Sequence, residues 1–166
     1  MTPKISAALI AAGATSLAFA PGAAAQRAMT VDDLFQLKTV REAAISPDGD
    51  HVAYAVSHPL DIVAGDEDSP ADRHLWLGER GGEARVYVRG DISVSDVAWR
   101  PGAGTVTFTA QRDGDDHRAL YEIDPGGGEA QRLFAHENSI SEYVWGPAGE
   151  TLYFVAESAD PDEEYE

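Results

Sequence analysis

The five histidines are the first residues that could carry out chemistry. They are His51, His58, His74, His117 and His136. None has a second histidine three or four residues away, the spacing at which two imidazoles share a zinc ion. His51 falls in a predicted strand beside a turn, and His117 directly follows an acidic segment. We therefore predict structural or solvent-exposed roles for all five, with no catalytic residue and no metal site.

Two acidic segments could hold a hard cation, because Ca²⁺ prefers clustered carboxylate oxygens as ligands. The run Asp113-Gly114-Asp115-Asp116 lacks the spacing and the distant glutamate of an EF-hand, and Asp and Gly are common at hairpin turns. The second segment is an insert at 58–72. Its acids are Asp61, Asp66, Glu67, Asp68 and Asp72. We predict two solvated acidic loops, and an ion or partner site remains the alternative for each.

A covalent nucleophile is also missing from the sequence. The chain has no cysteine, which excludes disulfides, thiol nucleophiles and cysteine-based metal sites. It has no Gly-x-Ser-x-Gly segment of the kind that presents a catalytic serine. Ser46 and Ser93 fall in predicted turns or strands without a His–Asp relay. We expect this chain alone to have no catalytic activity and no cofactor.

The charge balance excludes several classes of partner. Twelve Lys and Arg against 29 Asp and Glu give a formal net charge of −17. Nucleic-acid-binding proteins need basic residues to neutralise phosphates, and anionic membrane surfaces attract basic segments. We predict no nucleic-acid partner and no membrane contact for the mature chain.

The first 25 residues have the composition of a signal peptide. Lys4 precedes an uncharged apolar run at 5–20, and Ala23-Ala24-Ala25 is the small-residue pattern that a signal peptidase needs. A membrane span is the alternative, but the apolar run is short for one. We predict cleavage between Ala25 and Gln26 and a location in the periplasm or the medium.

A short helix is predicted at 30–40, within an N-terminal segment at 26–42. Thr30 can cap this helix, and Asp33 stands three residues later as the acid of a capping box. The apolar residues that follow recur at roughly helical spacing, so they form a stripe that needs a cover. Whether that cover is the chain's own domain or another one remains open.

After the helix the chain contains a threefold repeat, which is clearest when Pro47, Pro101 and Pro147 are taken as origins. The aligned apolar positions are Ile45, Trp99 and Trp145 two residues before the proline, and Tyr54, Phe108 and Phe154 seven residues after it. Apolar residues on both sides of a Pro/Gly turn, with Gly49 supplying tolerance of positive φ, predict a β-hairpin with one buried face. Because they occupy equivalent positions, Trp99 and Trp145 are predicted to pack between repeats rather than to bind a ligand.

A second, weaker hairpin follows each of the first two, so a unit contains four short antiparallel strands. Four strands repeated every 40–50 residues or so are typical of a β-propeller blade. We predict an all-β fold: a partial propeller of about two and a half blades at 43–90, 91–138 and 139–166, after the signal peptide and one short helix. An antiparallel sandwich is the alternative. Because propellers close with typically four to eight blades, we expect further blades from a longer parent protein.

The order of these motifs resembles the N-terminal part of the prolyl oligopeptidase family of serine peptidases, especially its exported acylaminoacyl-peptidase and dipeptidyl-peptidase-like members. The matching elements are Met29 to Leu34, then Ile45-Ser46-Pro47-Asp48-Gly49, then Val52-Ala53-Tyr54. The resemblance implies a propeller that restricts access of peptides to a C-terminal α/β-hydrolase domain, which would be this segment's partner. No catalytic residue is carried over, because no position matches the family's Ser, Asp or His.

Two points remain open under this resemblance. Glu163-Glu164 is similar to the glutamate pair with which dipeptidyl peptidases of the family hold a substrate's amino terminus, but a solvated acidic loop is the preferred interpretation. The alternative function is a non-enzymic periplasmic propeller scaffold that binds protein or small ligands, as the Tol-associated propellers do.

Overall fold

The computed structural model describes residues 28–34, 36–57 and 72–157. The predicted leader, most of the acidic insert and Glu163-Glu164 lie outside these ranges. The described residues form one helical turn, α1 (Val31–Leu34), and ten strands. The strands are β1 (Thr39–Ile45), β2 (His51–Ser57), β3 (Arg73–Glu79), β4 (Ala84–Val88), β5 (Ser95–Trp99), β6 (Val106–Ala110), β7 (Ala119–Ile123), β8 (Gln131–Phe134), β9 (Ile140–Trp145) and β10 (Leu152–Ala156). No helix in these ranges is long and apolar enough to cross a membrane.

The strands form three antiparallel sheets in chain order. Blade 1 contains β1 to β4, blade 2 contains β5 to β8, and hairpin 3 contains β9 and β10. The predicted all-β fold with four-stranded antiparallel units is confirmed, and the arrangement is that of a partial propeller.

The repeated hairpin has one register in all three sheets. Ile45 pairs with Val52, Trp99 with Val106 and Trp145 with Leu152. In blade 1 the Ser46 hydroxyl donates to the Asp48 carboxylate at 2.5 Å and accepts from the backbone N–H of His51 at 2.9 Å. Gly49 follows with φ +76°, a conformation that a side chain disfavours. The turn chemistry thus fixes the register locally.

The N-terminal helix is much shorter than the predicted 30–40. One half of the predicted capping box is present, because the Asp33 carboxylate accepts from the Thr30 backbone N–H at 2.7 Å. The Thr30 hydroxyl donates to the same carboxylate at 2.9 Å, and the Asp33 backbone N–H donates to the Thr30 carbonyl at 3.2 Å. However, α1 ends at Leu34, and β1 has already begun at Thr39. Thr39 and Val40 pair with the end of β2. These β-branched residues gain more from a sheet ladder than from extending an isolated helix, so the predicted extent of the helix was wrong.

The core lies between blades 1 and 2. Leu75 and Leu77 of β3 and Val106 and Phe108 of β6 belong to one cluster of almost completely buried hydrophobic residues there. Trp99 packs against this core, and its indole N–H donates to the carbonyl of Ala44 in blade 1 at 2.9 Å. One large side chain therefore joins the two sheets by both apolar contact and a hydrogen bond.

The Thr107 hydroxyl is one of the points at which hairpin 3 is attached to blade 2, together with the Arg100 guanidinium, which donates from Nε to the Gly149 carbonyl at 3.0 Å. The fully buried Thr107 accepts from the Trp145 indole N–H at 3.0 Å and from the Tyr143 hydroxyl at 2.7 Å. Phe154 adds a ring contact with Phe134, at 5.0 Å between centroids. The third repeat therefore packs on the second as the second packs on the first, although the acceptor of the Trp145 indole N–H is a side chain rather than a carbonyl.

Both ends of this stack present uncovered apolar residues. Ile45 is the counterpart of Trp99 and Trp145, yet it is 72% exposed because no described sheet precedes blade 1. On the far side of hairpin 3, Val144 is 60% and Tyr153 is 62% exposed. Exposed apolar faces of this kind are typical of surfaces that pack on another element.

The turns of blade 2 and hairpin 3 are in contact at Gly149. We therefore predict that adding a Cβ atom at this position lowers the free energy of unfolding. Gly149 and Gly104 both have φ +70°, but a Cβ at Gly149 would lie 2.0 Å from the carbonyl oxygen of Pro101, whereas one at Gly104 would meet nothing within 4 Å. We expect both Gly→Ala substitutions to lose about 1–2 kcal/mol from the left-handed backbone. Gly149→Ala should lose about 1–3 kcal/mol more from overlap. Urea unfolding of both variants measures the difference, and equal losses would contradict the contact.

Candidate functional site

The interface between blades 1 and 2 carries two polar clusters, and strands β1 and β5 position the first. The Glu42 carboxylate accepts from the backbone N–H of Val97 at 2.9 Å, which ties β1 to β5. The Asp96 carboxylate accepts from the Thr109 hydroxyl at 2.6 Å. Among the described residues other than glycine, only Asp96 has a positive φ, at 54°. It lies in a register shift between Ser95 and Ala98, and bulges of this kind redirect side chains beside functional sites.

These carboxylates occupy one position of the repeat. Glu42, Asp96 and Glu142 each stand five residues before the turn proline, and each sheet has a register shift beside that position. The sequence analysis missed this feature because it aligned only apolar and turn residues. Extending the same alignment three positions further upstream would have found it. The first strand of every repeat thus carries an acid at an interruption of its ladder.

The second cluster contains two arginines that share one serine. Arg73 begins β3 and donates from Nε to the Ser93 hydroxyl at 2.8 Å. Arg118, directly before β7, donates from Nη1 to the Ser93 carbonyl at 3.0 Å and to the Thr109 carbonyl at 3.3 Å. Ser93 belongs to the link between the blades and pairs with Arg73 in an isolated parallel bridge. The topology therefore brings two guanidinium groups to one short segment.

Burial changes the proton affinity of groups around this interface. Desolvation lowers the pKa of Arg118, and the neighbouring charge of Arg73 lowers it further, whereas Asp96 and Glu42 oppose the shift. Desolvation also raises the pKa of Tyr143 well above its usual value; the Thr107 hydrogen bond opposes that rise and the same two carboxylates add to it. Tyr143 therefore keeps its proton and donates it to Thr107, while Arg118 remains charged because guanidinium groups do not deprotonate in proteins.

The described histidines have partners other than the arginines and carboxylates of the two clusters. His51 contacts the Trp99 ring at 6.0 Å between centroids, and Nδ1 of His136 accepts from the backbone N–H of Asn138 at 3.2 Å. His74 Nε2 lies 3.3 Å from the Gly90 carbonyl, and His117 is exposed in a turn. His58 lies outside the described residues. Within the described ranges, no group of three or more His, Asp or Glu side chains could hold a metal ion.

The acidic turn at 113–116 uses its central carboxylate internally. Asp115 accepts from the Tyr121 hydroxyl, from the Arg112 backbone N–H at 3.0 Å and from the Arg132 guanidinium at 2.8 Å. Burial would raise the pKa of Asp115, but these hydrogen bonds together outweigh it and lower the pKa. Burial, with a smaller contribution from Asp115, raises the pKa of Tyr121 to about 12. The carboxylate in the middle of the turn is thus occupied by protein donors.

The two serines considered as nucleophiles have structural partners. Ser46 bonds to Asp48 and His51 within its own turn, and Ser93 accepts from Arg73. Neither hydroxyl contacts a histidine side chain among the described hydrogen bonds. A general base next to the hydroxyl is what would activate it, and the described hydrogen bonds place none beside Ser46 or Ser93.

The hydrogen bonds of Asp115 predict a pH-dependent contribution to stability. Because its pKa is lower in the folded chain than in the unfolded one, the stabilisation is present above about pH 4 and is lost as pH falls through the folded-state pKa. We expect Asp115→Asn to lower the free energy of unfolding by about 1 kcal/mol at pH 7, and the difference from the unmodified chain to shrink towards pH 3. Asp113→Asn, at an exposed neighbour, should change little at either pH. Urea titrations at several pH values test this, and a pH-independent difference would contradict it.

Comparison with known proteins places the chain in a propeller family. A family model described as the lipoprotein LpqB beta-propeller domain matches residues 22–141, which is 120 of the 166 residues. The comparison with curated proteins gives no match. Since LpqB is described as a lipoprotein, the match indicates an exported or cell-envelope protein, in agreement with the leader-like first 25 residues. Lipid attachment is a property of LpqB itself, and none of these 166 residues is a cysteine. The chain belongs to the family of the lipoprotein LpqB β-propeller domain.

Proposed function

We propose that this chain is the N-terminal, non-catalytic propeller segment of an exported serine peptidase of the prolyl oligopeptidase type. The order of its first elements is the observation that carries the proposal. The capped turn α1 leads within four residues into β1, and β1 runs directly into the Ser46-Pro47-Asp48-Gly49 turn. The propeller would restrict the peptidase to peptides and short oligopeptides, while an α/β-hydrolase domain elsewhere in the parent protein supplies the catalytic serine.

The uncovered faces support a parent with further blades. Ile45 on one side and Val144 and Tyr153 on the other are exposed where the internal interfaces bury their counterparts, such as Trp99 and Phe108. Burying an apolar side chain of this size contributes about 1.5–3 kcal/mol. Additional blades of the parent chain would supply that burial, and they are the partner that we propose for both faces.

A non-enzymic propeller scaffold is the second candidate function. It agrees with the LpqB family match, which describes a propeller domain of a lipoprotein. Such a scaffold would bind protein or small ligands in the cell envelope. The two candidates share an exported, non-catalytic propeller and differ in whether a hydrolase domain accompanies it.

A fluorophosphonate probe, which labels activated serines, distinguishes the two functions. We expect no labelling of the purified 166-residue chain, because neither Ser46 nor Ser93 has a base beside its hydroxyl. The product of the whole gene, isolated from the envelope of its host, should be labelled, and heat denaturation should abolish the label. A whole-gene product that completes its blades without any labelled serine would replace the peptidase with the scaffold.

Export also predicts a specific mature N-terminus. When the chain is expressed with its leader in a secreting bacterium, we expect Gln26 as the first residue, because Ala23-Ala24-Ala25 fits a signal peptidase. N-terminal sequencing of the periplasmic fraction reads this directly, and Ala25→Asp should block processing while leaving the rest of the chain unchanged. Recovery of intact Met1 in the membrane fraction would show that the segment is an anchor.

A further inference from the structure

We infer that Arg73 and Arg118 form a binding site for a peptide carboxylate at the interface between blades 1 and 2. The inference relies on the proposed function only for naming a peptide as the ligand. Its basis is the geometry around Ser93, on which both guanidinium groups converge from different blades.

Most hydrogen-bond donors of this arginine pair are unused. A guanidinium group has five N–H donors. Arg73 donates only from Nε, to the Ser93 hydroxyl. Arg118 donates only from Nη1, to the Ser93 carbonyl and to Thr109. No other hydrogen bond of either side chain occurs within the described ranges. Two planar groups with unused donors therefore lie beside the same residue, and planar guanidinium donors are suited to the two oxygens of a carboxylate.

Within the described ranges neither Arg73 nor Arg118 forms an ion pair, although acids outnumber bases 29 to 12 in this chain. Arg100 pairs with Glu122 at 3.3 Å, and Arg132 pairs with Asp115 at 2.8 Å. Within the described ranges no carboxylate lies within 4 Å of the Arg73 or Arg118 guanidinium. The nearby acids have other partners, since Asp96 accepts from Thr109 and Glu42 accepts from Val97.

Holding two cations together costs free energy, and the charges of Asp96 and Glu42 offset that cost only in part. The Arg73 charge and partial burial both disfavour the charged form of Arg118, and like charges at short distance repel in a medium less polar than water. An anion placed between them would remove this repulsion and satisfy the unused donors. The site is therefore organised before its ligand arrives, which reduces the ordering cost of binding.

A monoanionic carboxylate suits the site better than a phosphate. The chain's net charge of −17 repels every anion at long range, and it repels a dianion about twice as strongly as a monoanion. Peptides carry such a carboxylate at the C-terminus and on acidic side chains. The carboxylates of Asp96 and Glu42 nearby favour a ligand that also has a positively charged group, as a peptide does.

Binding of trialanine, whose amino terminus is charged, tests the site, with its C-terminal amide and inorganic phosphate as comparison ligands. We expect the purified chain to bind the free carboxylate at least about tenfold more tightly than the amide, because the amide lacks charge-assisted hydrogen bonds. Arg73→Gln should weaken binding about tenfold, whereas Arg85→Gln, at an exposed position of β4, should leave it unchanged. Isothermal titration calorimetry and backbone NMR shifts around Ser93 provide the two readouts.

A second variant guards against loss of folding. Arg118 makes several backbone contacts, so Arg118→Lys, which keeps the charge but loses the fork, is preferred to Arg118→Gln; its circular dichroism spectrum should match that of the unmodified chain. Equal affinity for carboxylate and amide, no binding by the unmodified chain, binding unaffected by Arg73→Gln, or phosphate binding tighter than the peptide would each overturn the site. Carboxylate binding with no fluorophosphonate-labelled parent would instead keep the site and reject the peptidase.

Discussion

The structure depends on one repeated contact, in which a tryptophan of blade 2 and a tryptophan of hairpin 3 each bond to the sheet before it. The residue two positions before the turn proline provides both parts of this contact. Trp99 covers the core between blades 1 and 2 and donates its indole N–H to Ala44, and Trp145 donates to Thr107. A large ring gains from burial, and its single donor needs a partner once it is buried. The contact therefore fixes both the distance and the orientation of neighbouring sheets.

The same constraint explains what surrounds the interface. Strand β6 is buried on both faces, and successive side chains along it point to opposite faces. Its apolar residues belong to the core shared with blade 1, and the hydroxyls of Thr107 and Thr109 lie on the other face. Thr107 receives two donors from hairpin 3, and Thr109 donates to Asp96 and lies beside Arg118. Polar groups can be buried here because each has a partner. The alternation of apolar and threonine side chains along β6 therefore accounts both for its packing on blade 1 and for the hydrogen bonds of Thr107 and Thr109 on its other face.

The polar clusters lie where the regular pairing is interrupted. Glu42 and Asp96 lie beside register shifts, and Ser93 lies in the link between the blades. Glu42 accepts from Val97 of blade 2 and Ser93 accepts from Arg73 of blade 1, whereas Asp96 accepts from Thr109 within blade 2. Arg73 begins the third strand of blade 1, and Arg118 directly precedes the third strand of blade 2.

The sequence alone determined the repeat, the hairpin register and the all-β fold, because turn residues such as Pro47 and Gly49 act through local backbone preferences. It also determined the cap of α1, which Thr30 and Asp33 form within three residues. It did not determine where α1 ends, since Thr39 and Val40 join β1 only when β2 is present to pair with them. Nor did it indicate that Arg73 and Arg118 meet at Ser93, because these residues are 45 positions apart and only the docking of blade 2 on blade 1 brings them together. Tertiary packing decided where α1 ends and which arginines meet at Ser93 for the same physical reason. Both depend on contacts between residues that are far apart in the chain.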